Sequence, residues 1–300
     1  MTATEIAAPA PVEQTIRKRP RWGRWLAAAA VLAVLGGVVA LLLSSPNLEP
    51  GTIGQYLFRD FVVRGVLVTL WLTAVAMVLG LAGGAVLAVM RLSPNPVLRG
   101  VSWLFVWVFR GTPLLVQIIF FGFLGALFPT ITLGIPFTDV VLFSQPTSAV
   151  ISGTTAAVLA LSLNEMAYAA EVVRGGILGV DPGQDEAARA IGMTPGMAMR
   201  RVVLPQAMRT IIPPMGNETI TMLKSTALVS VIAGRDLMTA VQTVYQQNYK
   251  VIPLLVVAAI WYLALVSLLS VGQFFLERRF GRGHGNPAKS ILKGLGGLRR

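Results

Sequence analysis

The chain has no cysteine, which excludes a disulfide framework, a thiolate metal site and a thiol nucleophile, and leaves the redox compartment unreadable from thiols. Its single histidine, His284, sits in a Gly-rich basic stretch with no carboxylate neighbour, so it is expected to be solvated surface rather than a ligand or proton relay. There is no G-x-x-x-x-G-K-[ST] phosphate cradle, no H-E-x-x-H pattern and no credible Ser-His-Asp set. The chain is therefore expected to have no catalytic residue, no metal and no cofactor of its own. Charge is also scarce: Asp, Glu, Lys and Arg make up 13% of the residues, with 25 basic side chains against 13 acidic ones.

What fills the space is apolar. With 55% hydrophobic residues and a mean hydropathy of +0.71, the chain suits a lipid bilayer rather than water. Apolar stretches run over Leu26–Leu43, Val66–Met90, Leu114–Leu127, Ala149–Leu163, Ile211–Ala233 and Pro253–Phe275. Most approach the roughly 20 residues that cross the hydrocarbon core, and the shorter ones can extend into polar flanks. The expected fold class is an all-α membrane protein with six transmembrane helices in one bundle.

In a soluble protein a net charge of +12 would suggest nucleic acid, but here the basic residues cluster at segment ends, where they act as topology signals. No nucleic-acid partner is expected. Five basic residues precede Leu26, three lie from Arg91 to Arg110, five from Arg174 to Arg209, and seven follow Glu277. The opposite side holds Arg59, Arg64, Arg235 and Lys250. This bias places both termini in the cytoplasm and makes the protein multi-pass.

The leading apolar stretch is long for a secretory signal peptide and lacks a small-x-small cleavage site, so it reads as a retained helix. Residues 1–21 and 280–300 have little to pack and are expected to be disordered. No internal repeat is evident.

The most specific stretch is a polar loop between two apolar segments. Asp181-Pro182-Gly183-Gln184 resembles a capping box that starts a short helix through Ala190, and Gly192 ends it. Thr194-Pro195 repeats the device and starts a second short helix toward Leu204-Pro205. The result is a compact knob. Ala187 and Ala188 remove bulk so that it can enter a groove, while Glu186 and Arg189 are placed to bind a partner or to brace the loop.

Asp185-Glu186-Ala187-Ala188-Arg189-Ala190-Ile191-Gly192, followed by Val202-Val203-Leu204-Pro205, is similar to the E-A-A, G, I-x-L-P signature of importer-type ABC permeases, with Val202 in the isoleucine position. Arg110 to Gln117 (RGTPLLVQ), Asn164 to Ile177, Leu204 to Arg209 and Asn217 to Ser230 resemble the polar amino acid uptake branch of that family. The resemblance covers roughly 58–279 and implies a five-helix type I permease core, with coupling loop 181–205 on the cytoplasmic side. Residues 22–57 then form an extra N-terminal helix and external loop. It also implies a bacterial inner-membrane location, a pair of separate ABC ATPase subunits that bind the ATP, and a second permease subunit, either a copy or a related chain. An extracytoplasmic solute-binding protein would deliver a polar amino acid. The ATPase-coupling residues would be Asp185, Glu186, Ala187, Ala188, Gly192, Leu204 and Pro205.

Intramembrane polar side chains supply the candidate path. Helical projection puts Asn217, Glu218, Thr221, Lys224 and Ser225 on about a third of the circumference, and such a stripe should face a partner helix or water rather than lipid. Asn164, Glu165 and Gln117 are further candidates for the path. Glu171 and Arg174, three residues apart, read instead as a brace for the loop base. Ala76, Gly80, Gly84 and Ala88 recur every four positions, which permits close helix contact. The rival reading is an ion-coupled secondary carrier or channel built on Glu218 and Lys224, which would leave the Glu186 loop unexplained.

Overall fold

The structure is a computed structural model that describes residues 22–134 and 141–280. The expectations for the N-terminal 21 residues and for the tail after Phe280, His284 included, lie outside these residues. The chain divides into two compact units between Leu48 and Glu49. The first unit contains helix α1 (Trp22–Leu43) and a 3-10 turn, Pro46–Leu48.

The second unit opens with α2 (Pro50–Leu57) and α3 (Asp60–Leu92), then α4 (Pro96–Gly111), α5 (Leu114–Gly122) and α6 (Leu124–Leu127). Strands β1 (Thr130–Gly134) and β2 (Val141–Pro146) follow, with α7 (Thr147–Val150) and α8 (Gly153–Leu178) after them. Next come α9 (Pro182–Ala190), α10 (Pro195–Ala198) and a π turn, Met199–Val203, that leads into α11 (Leu204–Ser225). A 3-10 stretch, Thr226–Ile232, extends α11, and α12 (Leu237–Asn248) and α13 (Val251–Phe280) complete the chain.

The chain is thus mostly helical. Among the described residues the exception to an all-α reading is the antiparallel pair β1–β2, in which Thr132 lies opposite Ser144. Among the described residues, α3, α8 and α13 are each long and apolar enough to cross a membrane alone, and the number reaches six if each of three bent helix pairs counts as one crossing.

Leu114–Leu127, expected as a spanning segment, is not one by itself. Its helix α5 has nine residues, or about 14 Å at the α-helical rise, under half of the hydrocarbon thickness. It continues from α4 through a 99° bend. Pro113 causes the break, because it has no N–H and drives Thr112 into extended backbone (φ −109°, ψ 142°). The stretch from Arg91 to Arg110, expected as a cytoplasmic connection, is largely the 16-residue α4, capped by Asn95, whose side chain accepts from the Val97 amide at 2.9 Å. The segment after Ala233 also holds an unexpected helix, α12. Asp236 caps it, and Thr69 of α3 accepts from the Leu237 amide at 3.1 Å.

The α3–α8 contact organises the second unit. Ala76 and Ala88 are fully buried, and a methyl group added at Gly84 would lie 2.6 Å from the Ala169 Cβ and 2.9 Å from the Ala170 backbone nitrogen. One added at Gly80 would collide with the Glu165 side chain. The four-residue stripe therefore sets how closely these helices approach. Around this contact lie three apolar clusters. One joins Val62 and Val66 to Leu237, Val241 and Leu254, and another joins Leu72 and Ile118 to Ala157, Leu161 and Met222. The third joins Ala88 and Ala169 to Ala207, Ile211 and Met215.

Gly84→Val should lower the stability of the detergent-purified protein by about 2 kcal/mol, because the neighbouring atoms include α8 backbone that cannot move aside. Gly100→Ala, where nothing lies within 4 Å of the added carbon, should leave the melting midpoint unchanged or raised. Equal melting of the two variants in a thermal size-exclusion assay would refute this account of the interface.

Candidate functional site

The expected site residues gather in two regions, and α11 runs from one to the other. The first is the knob between α8 and α11. The Asp181 side chain accepts from the Gly183 amide at 2.8 Å and starts α9. Gly192 ends it in the left-handed region at φ 86°, while the Met193 amide returns to the Ala188 carbonyl at 3.0 Å. Thr194 caps α10 through the Met197 amide.

The two arms of the knob differ from expectation. The second is not a separate short helix, because α10, the π turn and α11 follow one another without a break from Pro195, and Pro205 sits at the tolerated start of α11. The two alanines do not share a role. Ala188 is buried, while Glu186 and Ala187 are exposed and form the outward surface. Arg189 is held within the loop by Asp185 at 2.8 Å, an i, i+4 pair, so Glu186 keeps its charge facing outward. A further brace joins Gln206 on α11 to Gln184 on α9 at 3.1 Å. Leu204 and Pro205 are exposed at the top of the second arm.

The second region lies where α8 meets the α4–α5 bend and α11. The Gln117 amide nitrogen donates to the Phe109 carbonyl at 2.8 Å and the Thr112 carbonyl at 3.1 Å, and its oxygen accepts from Asn164 at 3.1 Å. Asn164 donates to the Phe109 carbonyl as well. These amides satisfy carbonyls that the bend frees, which a bilayer core requires. Gln117 and Asn164 thus act first on the backbone, holding the bend against α8.

Glu165, beside Asn164, is 2% exposed, and one carboxyl oxygen has no hydrogen-bond partner among the described residues. It is an electrostatic neighbour of Glu218 on α11, and Glu218 is in turn a neighbour of Arg110 at the end of α4. The Arg110 guanidinium stands 5.0 Å over the Tyr168 ring. Arg110 was not among the expected path residues. Its signal was present as a lone arginine just before the Gly-Thr-Pro break of an apolar run. Lower on α8, Glu171 and Arg174 pair at 2.6 Å, as their spacing predicts.

The α11 stripe faces outward in a single chain. Asn217, Thr221 and Lys224 are exposed, and Glu218 and Ser225 are half-buried, whereas Met222 and Leu223 are buried behind them. The structure therefore brings Glu218 toward Glu165 and the bend, and leaves Asn217, Thr221 and Lys224 on an open face. Among the described residues no group of three or more His, Asp or Glu side chains could hold a metal ion.

A family model described as "Binding-protein-dependent transport system inner membrane component" matches residues 77–282. The arginine transport system permease protein ArgU of Corynebacterium glutamicum is 45% identical over 278 residues, covering 92% of this chain and 85% of that one. The histidine/lysine/arginine/ornithine transport system permease protein HisM of Salmonella typhimurium is 38% identical over 218 residues, covering 72% and 88%. A solved structure described as an amino acid ABC transporter with histidines superposes with a TM-score of 0.60 at 37% identity, covering 73% of this chain and 94% of that chain. With a family model matching most of its length and relatives this similar, the chain belongs to the binding-protein-dependent transport system inner membrane components, as a permease subunit of the amino acid ABC importer type.

Proposed function

We propose that this chain forms half of a permease pair that imports a polar amino acid, with a cationic side chain favoured, and that the Glu186 knob is where a separate ATPase drives it. The observation that carries the reading is continuity. From Pro195 the helix runs through the π turn and α11 to the stripe of Asn217, Glu218, Thr221 and Lys224. A displacement of the knob would therefore move the stripe with little loss in between.

On this reading both termini are cytoplasmic, in keeping with Arg91 and Arg99 and the arginines gathered at Arg174–Arg209. Six crossings follow: α1, α3, the bent α4–α5 pair, α8, α11 with its 3-10 extension, and α13. The knob then meets an ATPase in the cytoplasm, and a solute-binding protein delivers substrate on the far side. ATP-driven closure of two ATPases would draw the two knobs together and favour an outward-facing pair, and hydrolysis would release the inward-facing state. ATP itself is bound by the partner, since this chain has no phosphate cradle.

The substrate preference rests on the relatives. Their names include arginine, lysine, ornithine and histidine.

Two measurements test the reading. Glu186→Ala in the full complex, reconstituted with its ATPase and binding protein, should cut ATP-dependent uptake by roughly tenfold or more while the protein still inserts, because a charge-assisted contact is lost. Uptake at the wild-type rate would remove the knob from the mechanism. Lys224→Gln should weaken uptake at low substrate by about tenfold with the melting midpoint unchanged, as expected if its ammonium meets the substrate's α-carboxylate on the path. A fall in melting midpoint with normal uptake would instead make Lys224 a structural tether.

A further inference from the structure

The lever just described has a weak point. Pro213 and Pro214 sit in the interior of α11, between the knob and the stripe. Neither has an N–H, so the carbonyls of Arg209 and Thr210 lose their donors four residues on, and Gly216 adds further backbone freedom one turn above. Left to itself, this stretch would bend under load.

One side chain from another helix holds it. Gln273 of α13, 7% exposed, donates from Nε2 to the Pro213 carbonyl at 2.8 Å and to the Glu277 carboxylate at 2.8 Å. Both partners are acceptors, which fixes the amide orientation. Its Oε1 is buried with no hydrogen-bond partner among the described residues. The carboxamide lies against Gly216 so closely that a methyl group there would collide with it. A polar amide is thus buried in an apolar helix contact, with one oxygen left unsatisfied, to reach a single proline carbonyl. Such burial is costly.

We propose that Gln273 is a positioning residue for energy coupling: it straps the Pro213–Pro214 segment to α13, so that α11 transmits knob displacement to the polar stripe instead of flexing at the prolines. The proposal rests on the transport reading above and deepens it. Without the strap, ATP hydrolysis would continue while less substrate moved per ATP.

The test uses the full complex in liposomes. In Gln273→Leu, the amino acid moved per ATP should fall about tenfold with ATPase activity retained, the scale of losing one buried hydrogen bond. Gly216→Ala, which displaces the amide without altering it, should act in the same direction and serves if the leucine variant inserts poorly. Adding Pro213→Ala and Pro214→Ala to Gln273→Leu restores the missing backbone donors and should recover coupling, a rescue that generic destabilisation would not allow. Hydrogen exchange at Met215 to Thr219 gives a readout independent of transport: exchange should speed up in Gln273→Leu and slow again in the triple variant. Unchanged stoichiometry and unchanged exchange in Gln273→Leu would overturn the strap while leaving the importer reading intact. A wild-type complex with no ATP-dependent uptake, but with faster exchange in Gln273→Leu, would overturn the importer reading and retain the strap.

Discussion

In a hydrocarbon solvent, a helix can carry polar groups at depth only if another helix comes close enough to enclose them. The α3–α8 contact meets that condition. Gly80 leaves room for the Glu165 side chain, and Gly84 brings α3 against the Ala169–Ala170 backbone. With α8 held this way, Asn164 is fixed where it can bond Gln117 and the Phe109 carbonyl. The 99° bend between α4 and α5 is then braced from α8, and Arg110 is delivered beside Tyr168 and Glu218. A larger residue at Gly84 would disturb the interface that positions the bend and the acidic pair.

The second organising element is α11, and it works by the opposite principle. α8 is held rigid by close packing along its length, whereas α11 is continuous but weakened. A π turn marks its junction with the knob, and two prolines interrupt its hydrogen bonding midway. Helices with such defects bend unless something external prevents it. In this chain the external restraints are specific: Gln206 to Gln184 at the knob, and Gln273 to Pro213 at the prolines. Both are amide contacts made across elements, so the stiffness of α11 is set by its neighbours.

Much of this was legible in the sequence, because the signals were local. The Asp181 and Thr194 caps, the Gly192 turn, the Glu171–Arg174 pair and the small-residue stripe each depend on residues a few positions apart. What escaped depended on distance. The α4–α5 bend looked like a loop followed by a spanning helix, since hydropathy reports length and not direction. α12 was not read as a helix, because its apolar face, Leu237, Val241 and Val244, makes sense only against α3 and α13. The inward turn of Ala188 was equally hidden, because the second arm's place is set by packing, whereas the Asp185–Arg189 pair, four residues apart on one helix, was readable and passed over. Gln273 gave no sign of its role, since a lone glutamine in an apolar helix has no periodicity to read.

In one chain, Asn217, Thr221 and Lys224 are exposed on a helix whose opposite face, Met222 and Leu223, is packed into the core. A lysine facing lipid at mid-depth costs about 3 kcal/mol on insertion scales, and the adjoining Asn and Thr add to that. The 3-10 extension beyond Ser225 cannot relieve it, because Thr226 and Val229 there are buried as well. The stripe is therefore unstable as a lipid-facing surface and stable only against water or a second polar helix. On the proposed reading a second permease subunit provides both: its own stripe faces this one across a wet gap, and the width of that gap is what the knob, acting through the strapped helix, would change.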